Sequence, residues 1–411
     1  MWPTFSIATA AMSAILPSAA AAGTNQFGFT ATAAIKESFD SNVFLQSYTD
    51  AAEKSSFVTT ALAELGVTWK PSAAFGAKAS YLPEATWFHS ESSEDYVIHR
   101  GVINADGKIG NTSYEIANSL TQIDGSNIGP SWFGPGGAPA AGGIAVRDRR
   151  DAFIDRNLLR VSQSWGDWVI RPVMTAYVHD FQSIHATTAG YQNYVDRNEI
   201  VGGIDLGRKA APDLTAYVGY RYGAQDQSKL LSFPEEYDND FHRALAGVEG
   251  KPFSNLKLSL SAGPEFRKFG PRTPASFGDR DRLNFYVDAT ATLTLGKADT
   301  ITFSTKQFEQ PGFSGRSTYT DLTIDLGWKH KFGKDWTVGL SGRGYNTEFR
   351  SPVQRDDWIF SGAGFVNYTV GRGLSVEASY QYESGESEFT TLKGRDFQRH
   401  IAAIGLKYAF K

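Results

Sequence analysis

The feature that most constrains the fold is an alternation of apolar and polar residues with a period of two, which runs from about Thr24 to the end of the chain. Successive residues of a β-strand point to opposite faces, so each segment has one apolar and one polar face. Many segments exceed the roughly five or six residues usual for soluble strands. They match the roughly nine to eleven residues with which a tilted strand crosses a bilayer. The pattern therefore predicts an all-β fold, a transmembrane antiparallel up-and-down β-barrel.

Composition agrees with a barrel whose interior is wet. Hydrophobic residues make up 41% of the chain and the mean hydropathy is -0.31, yet half of every strand in such a barrel faces water. A helical membrane protein would instead show continuous apolar runs of about 18 residues, and the sequence contains none. The 40 basic and 44 acidic residues are mixed along the chain, so no nucleic-acid partner is expected.

The sequence offers no chemistry typical of an enzyme. It has no cysteine, which excludes disulfides, zinc thiolate sites and cysteine nucleophiles. No nucleophile elbow, P-loop or zinc-protease motif occurs, and the seven histidines are scattered. The acidic segment 235–240 could hold Ca²⁺, but a solvated loop is the simpler interpretation. We therefore predict no catalytic residue, no cofactor and no metal site, although catalytic groups need not be adjacent in sequence.

The N-terminus resembles an export signal. Residues 5–16 form an apolar, alanine-rich stretch, and Ala20-Ala21-Ala22 supplies a small-residue cleavage site before Gly23. The usual positive charge is missing, because no Lys or Arg precedes Lys36. We predict a signal peptide over 1–22 and a barrel over 23–411 in the outer membrane of a Gram-negative bacterium.

The connections between strand segments alternate in length. About eighteen segments can be marked, with boundaries uncertain by about two to four residues. Tight connections carry turn chemistry, as at Asp106-Gly107 and Gly166-Asp167, whereas 40–54, 225–239 and 384–396 are long and polar. Short turns on one rim and long loops on the other are typical of outer-membrane barrels, whose short side is periplasmic. Eighteen strands would place both termini on the short-turn side, and about sixteen is the main alternative.

Tryptophan placement supports this orientation. Five tryptophans lie beside short turns, namely Trp69, Trp165, Trp168, Trp328 and Trp336. Indole rings prefer the headgroup level of a membrane, where the ring is in apolar surroundings and the N–H group stays wet. The apolar faces are therefore expected to contact lipid and lipopolysaccharide, while the charged faces line the lumen.

Two short segments resemble known outer-membrane families. The final strand, with Ile404, Leu406, Tyr408 and Phe410 before Lys411, resembles the C-terminal signal that the barrel assembly machinery reads. The segment Ser38-Phe39-Asp40-Ser41-Asn42-Val43-Phe44-Leu45 resembles the opening of the β-barrel porin 2 type of bacterial outer-membrane proteins. The resemblance implies a porin that contacts this machinery and small hydrophilic solutes.

The longest connection, 123–151, is the third external loop, which in porins folds into the barrel and narrows it. It contains a Gly/Pro/Ala-rich stretch followed by a charged cluster. We predict a constriction loop, although a flexible surface loop would have the same composition. The candidate constriction residues are Trp132, Arg147, Asp148, Arg149, Arg150 and Asp151.

Further candidates for solute selection are charged residues on the predicted lumen faces. They are Arg171, Arg221, Lys257, Arg267, Arg343, Asp205, Asp288, Asp325, Glu249 and Glu377. Rings of charged side chains select ions in pores. For each of these residues, an ordinary salt bridge within the wall is the competing interpretation.

The predicted function is passive diffusion of small hydrophilic solutes through a loop-constricted pore. Two alternatives stay open: a closed barrel that acts as a surface scaffold or adhesin, and a substrate-selective porin of the sugar type. By analogy with porins we also predict a homotrimer. Its smooth contact wall would come from Ala61, Ala63, Ala73, Ala77 and Ala79.

Deleting residues 126–145 should raise single-channel conductance, because the deletion removes the predicted constriction. Replacing Arg147, Arg149 and Arg150 together by Ser should shift the reversal potential toward cation preference, since a low-dielectric wall strengthens the field of fixed charges. Planar-bilayer recordings measure both quantities. Unchanged current and selectivity in both variants would place the loop outside the pore.

Overall fold

A computed structural model describes residues 26–45, 54–125, 149–182, 195–228, 236–312, 317–351, 354–389 and 396–410. These ranges hold two short 3₁₀ helices, Ser92–Glu94 and Ala275–Phe277, and a set of strands. The strands are β1 (Gln26–Asp40), β2 (Ser56–Ser72), β3 (Phe75–Phe88), β4 (Tyr96–Ile109), β5 (Thr112–Gly125), β6 (Ala152–Trp165), β7 (Trp168–Phe181), β8 (Arg197–Ala211), β9 (Leu214–Gln227), β10 (Asn239–Phe253), β11 (Leu256–Phe269), β12 (Asp281–Leu295), β13 (Asp299–Pro311), β14 (Thr318–Phe332), β15 (Trp336–Phe349), β16 (Arg355–Gly371), β17 (Leu374–Phe389) and β18 (Phe397–Phe410).

The strands form one closed antiparallel barrel. Each strand pairs with its neighbours in the sequence, and β1 also pairs with β18, from Ala31 opposite Phe410 to Asp40 opposite Ile401. The single sheet therefore has 18 strands and no free edge. This confirms the predicted up-and-down barrel and the larger of the two strand counts.

The outer wall is apolar and bears aromatic side chains near the short-turn rim. Trp69, Trp165, Trp168 and Trp336 are between 39% and 48% exposed there, and the Trp328 indole N–H donates to Asp299 Oδ1 at 2.9 Å. These rings have the exposed body and the polar contact that a membrane interface favours. The predicted tryptophan girdle on the short-turn side is confirmed.

The turn between β4 and β5 was predicted at the wrong place. Asp106 and Gly107 lie inside β4, and the chain reverses at Gly110 and Asn111, where Gly110 has a φ of +61°. Both dipeptides have turn chemistry, so the sequence alone does not separate them. Gly107 has a different role: a Cβ there would lie 2.3 Å from the Tyr114 ring. An aromatic ring covers this glycine across the strand pair.

Aromatic rings cover strand glycines at other places in the barrel. Cβ atoms added at Gly223, Gly247, Gly339 or Gly385 would each fall within 2.3 Å of an aromatic ring on a neighbouring strand. Rings that lie over strand glycines recover packing that a glycine in a strand otherwise loses. The abundant glycine and aromatic residues of this chain thus contribute to packing within the barrel wall.

A hydrophobic cluster fills part of the barrel mouth on the long-loop side. Val43 and Phe44, which follow β1, pack against inward side chains of the neighbouring strands: Val58, Phe88, Tyr96, Ile98, Ile123 and Ile154. Val43 has no exposed surface and Phe44 is buried. The segment after β1 therefore lies inside the barrel.

Two predicted segments lie outside the described residues. These are the signal peptide over 1–22 and the central part of the third external loop, residues 126–148. In the part of the chain that is described, no helix has the length and apolar character needed to cross a membrane.

The outward and inward faces should respond differently to a new charge. Leu326 on the outer wall is 56% exposed, and Thr323 lies on the opposite face of β14. Leu326→Arg should lower the free energy of unfolding in lipid vesicles by about 2–4 kcal/mol, because the charge would face hydrocarbon. The matched variant Thr323→Arg should cost much less. Equal losses in chemical denaturation of the two variants would contradict this assignment of faces.

Candidate functional site: the lumen and its mouth

Charged side chains on the inner wall differ in exposure along the barrel axis. Toward the long-loop rim many are buried, including Asp40, Arg267 and Arg399. Toward the middle they are accessible, as in the pair of Lys306 with Asp288, whose side chains are 51% and 40% exposed. The interior is therefore packed near the long-loop mouth, whereas charged side chains in the middle of the wall are accessible to water.

A buried ion-pair cluster joins three segments at this mouth, and we name it the mouth clasp: Glu94, Arg149 and Arg150. Glu94 Oε2 lies 2.8 Å from Arg149 Nη1 and 3.1 Å from Arg150 Nη2. Arg149 also donates to the carbonyl oxygen of Val43 and lies 4.9 Å above the Phe88 ring. Both guanidinium groups are fully buried. The clasp thus ties the chain before β6 to the β3–β4 connection and to the segment after β1.

Burial sets the electrostatics of this region. It lowers the pKa of the Arg149 guanidinium below its usual value, while the adjacent Glu94 carboxylate acts in the opposite direction. Asp151, two residues further on, has a raised pKa, because it is partly desolvated and lies near the carboxylates of Asp124 and Asp180. A buried cation of this kind is stable only while its carboxylate partner is present.

A second buried cluster closes the barrel seam next to the clasp. Arg399 on β18 donates from Nε to Asp40 Oδ1 at 2.9 Å and from Nη1 to Glu383 Oε2 at 3.1 Å. The Asp40 carboxylate also accepts the backbone N–H of Asn42 at 3.0 Å. This cluster links β1, β17 and β18 and fixes the turn that sends Val43 into the barrel.

On the other side of the mouth, Glu265 bridges two arginines. Its Oε2 accepts from Arg243 Nε at 2.8 Å, and its Oε1 accepts from Arg267 Nη2 at 2.7 Å. Both guanidinium groups lie over the Phe241 ring, at 4.9 and 4.6 Å from its centroid. Charge pairing and aromatic stacking together hold these side chains flat against the wall.

A fourth network lies nearer the short-turn rim. Arg171 Nε donates to Asp205 Oδ2 at 2.9 Å, and Arg171 also pairs with Glu249. Arg221 Nη1 lies 2.7 Å from Asp205 Oδ1, in an ion-pair contact whose angles do not suit a hydrogen bond. Gly219 makes room for this contact, since a Cβ there would lie 2.2 Å from Asp205 Oδ1. The network joins β7, β8, β9 and β10 inside the barrel.

The remaining lumen candidates are more accessible. Arg343 pairs with Asp325, and both side chains are partly exposed. Asp288 pairs with Lys306 at 3.6 Å, while Lys257 is exposed on the inward face of β11. Glu377 lies within electrostatic reach of Lys36 on β1.

All ten strand candidates therefore lie on inward faces, most of them in salt bridges, and their role in solute selection stays a prediction. Of the loop candidates, Arg149 and Arg150 belong to the clasp and Asp151 precedes β6. Trp132, Arg147 and Asp148 lie outside the described residues. The role of all six loop residues in a constriction stays a prediction.

The sequence did not identify several residues of these clusters as candidates, notably Glu94, Arg243, Glu265 and Arg399. One usable signal was present. Opposite charges two residues apart on one strand, as in Glu265-Phe266-Arg267, fall on the same face and can pair. Glu94 gives no such signal, because its partners are 55 and 56 residues away.

The carboxylates of the inner wall are mostly paired with cations. Within the described residues, no three His, Cys, Asp or Glu side chains are grouped so that they could hold a metal ion. The carboxylates instead face guanidinium groups in fixed, paired geometry. Such groups present an ordered field to water and solutes.

Three features define the class of membrane protein: the closed barrel, the apolar outer wall with its tryptophan girdle, and the charged inner wall. Only helices and closed barrels satisfy the backbone within hydrocarbon. The chain is an outer-membrane β-barrel with a porin-like architecture, located in the bacterial outer membrane.

Comparisons with known proteins found distant similarity to solved structures only. No protein-family model and no curated protein matches the sequence. Among solved structures, OccK3 (OpdO) of Pseudomonas aeruginosa is 12% identical, with 93% of this chain and 95% of that chain covered and a TM-score of 0.42. OccK2 (OpdF) of the same organism, in complex with glucuronate, is 10% identical, with 93% and 98% covered and a TM-score of 0.43. The ferric-catecholate import receptor Fiu of E. coli K12 is 9% identical, with 93% and 81% covered and a TM-score of 0.41. These similarities extend to the barrel fold alone and give no information about solutes.

Glu94→Gln should open the clasp. The substitution leaves two buried guanidinium groups without their carboxylate, and breaking a buried pair in this way costs about 3–5 kcal/mol. Trypsin should then cleave after Arg149 or Arg150 in the variant but not in the wild type. The control Glu91→Gln removes the partly exposed pair with Lys54, which is worth about 0–1 kcal/mol as a surface pair, and should leave cleavage unchanged. Equal resistance of all three proteins would argue against the clasp.

Proposed function

We propose that this protein is a water-filled pore through which small hydrophilic solutes diffuse across the outer membrane. The observation that carries the proposal is the accessible charged inner wall below the mouth, represented by Lys306 and Asp288. An ion pair that is half exposed inside an 18-stranded barrel stands in water. Barrels of about 16–18 strands are wide enough for an aqueous channel.

The narrow part of this pore lies near the mouth on the long-loop side. The mouth clasp, the segment around Val43 and the Glu265 cluster all contribute buried groups there. Their side chains are paired or packed, so the narrowing is formed by three connections, after β1, between β3 and β4 and before β6, together with the wall. The path is therefore expected to restrict solutes by size at the mouth and by charge below it.

A closed surface scaffold or adhesin, the alternative function, would conduct no ions. Purified protein in planar bilayers should give discrete conductance steps if the pore is open. A folded barrel that stays silent in several salts would favour the closed scaffold. Conductance blocked by an added sugar would favour a substrate-selective porin.

Charge selectivity gives a sharper test on two matched variants. Lys306→Gln leaves Asp288 without its partner 3.6 Å away and should shift the reversal potential in a salt gradient toward cation preference. Asp288→Asn removes the carboxylate beside Lys306 and should shift the reversal potential toward anion preference, because a fixed charge repels ions of its own sign. If neither substitution moves the reversal potential while the conductance steps persist, ions do not pass this pair.

A further inference from the structure

The outer wall carries a polar cluster where apolar side chains are expected. Asn118 on β5 and Asn157 on β6 are directly opposite in the strand register, and Asp155 lies on the same face. Asn118 Nδ2 donates to Asp155 Oδ1 at 2.7 Å and to Asn157 Oδ1 at 2.9 Å. Asn157 Nδ2 donates to Asp155 Oδ2 at 2.8 Å. We name these three residues the outer-wall triad.

The triad faces the membrane and not the lumen. Leu120 and Leu159, two residues from Asn118 and Asn157 on the same faces, are 39% and 44% exposed on the outer wall. Asn118 lies near the centre of β5. Carboxylates and amides in contact with hydrocarbon are costly, so this site needs a polar neighbour that lipid tails do not supply.

The triad also has unused hydrogen-bonding capacity. Asn118 donates both of its amide N–H groups within the triad, while its Oδ1 accepts nothing among the described residues. Asn157 uses one amide N–H on Asp155 and has a second one left. One free acceptor and one free donor therefore lie side by side on the wall.

Such a pair is self-complementary. If two copies meet through a twofold axis, Asn157 of one copy can donate to Asn118 of the other, and the reverse bond forms by symmetry. Both copies insert into the membrane in the same orientation, so the axis is along the membrane normal and groups of equal depth meet. Asn118 and Asn157 are directly opposite in neighbouring strands, which lie about 4.8 Å apart. Their depths therefore differ by less than this separation, and the amide side chains can span the difference.

The shape of the wall fits the same contact. On the β1–β5 side of the triad lies a groove of about 660 Å³, with small residues such as Ala31, Ala79 and Gly101 in its lining. On the other side, Leu159, Met174 and Ile204 protrude and are between 44% and 48% exposed. A twofold rotation at the triad brings the protruding side of each copy over the groove of the other.

We infer that the outer-wall triad and the groove beside it form the contact between two copies of this chain in the membrane. The occupant of the groove is the β6–β8 wall of the second copy. This contact is independent of whether the pore conducts. The homotrimer expected from the alanine-rich wall would need a threefold arrangement, and the two differ in mass.

The absence of cysteine from the sequence makes a direct test possible. Leu159→Cys places one thiol beside the triad, and the control Leu326→Cys places one on β14 at the far side of the barrel. Oxidative cross-linking in native outer membranes should give a covalent dimer for Leu159→Cys and none for Leu326→Cys. Cross-linking that is equal at both positions, or absent at both, would overturn the inference.

A second variant separates a protein contact from a tolerated lipid contact. Asn118, Asp155 and Asn157 are replaced together by Leu, and mass is measured in mild detergent together with unfolding in vesicles. A dimer of wild type that becomes a folded monomer in the variant supports the contact. A wild type that is monomeric or trimeric, or that carries a different protein or a lipopolysaccharide molecule at this site, overturns it. Single-barrel conductance, recorded in parallel, tests the pore independently.

Discussion

The structure depends above all on the need to satisfy backbone hydrogen bonds where no water is available. In hydrocarbon an unpaired N–H or C=O group costs several kcal/mol, so a sheet can cross a membrane only when it closes. The pairing of β1 with β18 removes the last free edges. Closure then divides every strand into a face toward lipid and a face toward the lumen, which explains why an alternation with a period of two governs the whole chain.

Inside the barrel, a recurring arrangement controls the charges. Glu94, Glu265 and Asp205 each lie between two arginines, and Arg399 lies between two carboxylates. A bridging group neutralises its neighbours and fixes their geometry, and a fully satisfied buried network makes the region rigid. Removal of a single bridging charge leaves its partners buried without that counter-charge. The mouth is therefore held by electrostatics as much as by the packing around Val43.

One polar cluster on the outer wall is an exception to the apolar character of that face. Most outward side chains away from the rims match lipid, whereas Asn118, Asp155 and Asn157 place amides and a carboxylate on that face. Each polar group, on the inner or the outer face, thus lies where a hydrogen-bond or charge partner is available. In the lumen the partner is water or an opposite charge, and at the triad we propose that it is a second copy of the chain.

The sequence by itself determined the fold class, narrowed the strand number to about eighteen or sixteen and placed ten charged strand residues on the lumen face, because all of these follow from the two-residue period and the alternating connections. Lumen positions such as Arg171 and Asp288 could be predicted in this way. The exact turn after β4 could not, since two dipeptides with turn chemistry compete and only cross-strand pairing with β3 and β5 selects Gly110. The pairing of Glu94 with Arg149 was likewise decided by the tertiary structure alone. Closure of the barrel brings together residues distant in the chain, and no local pattern encodes which of them meet.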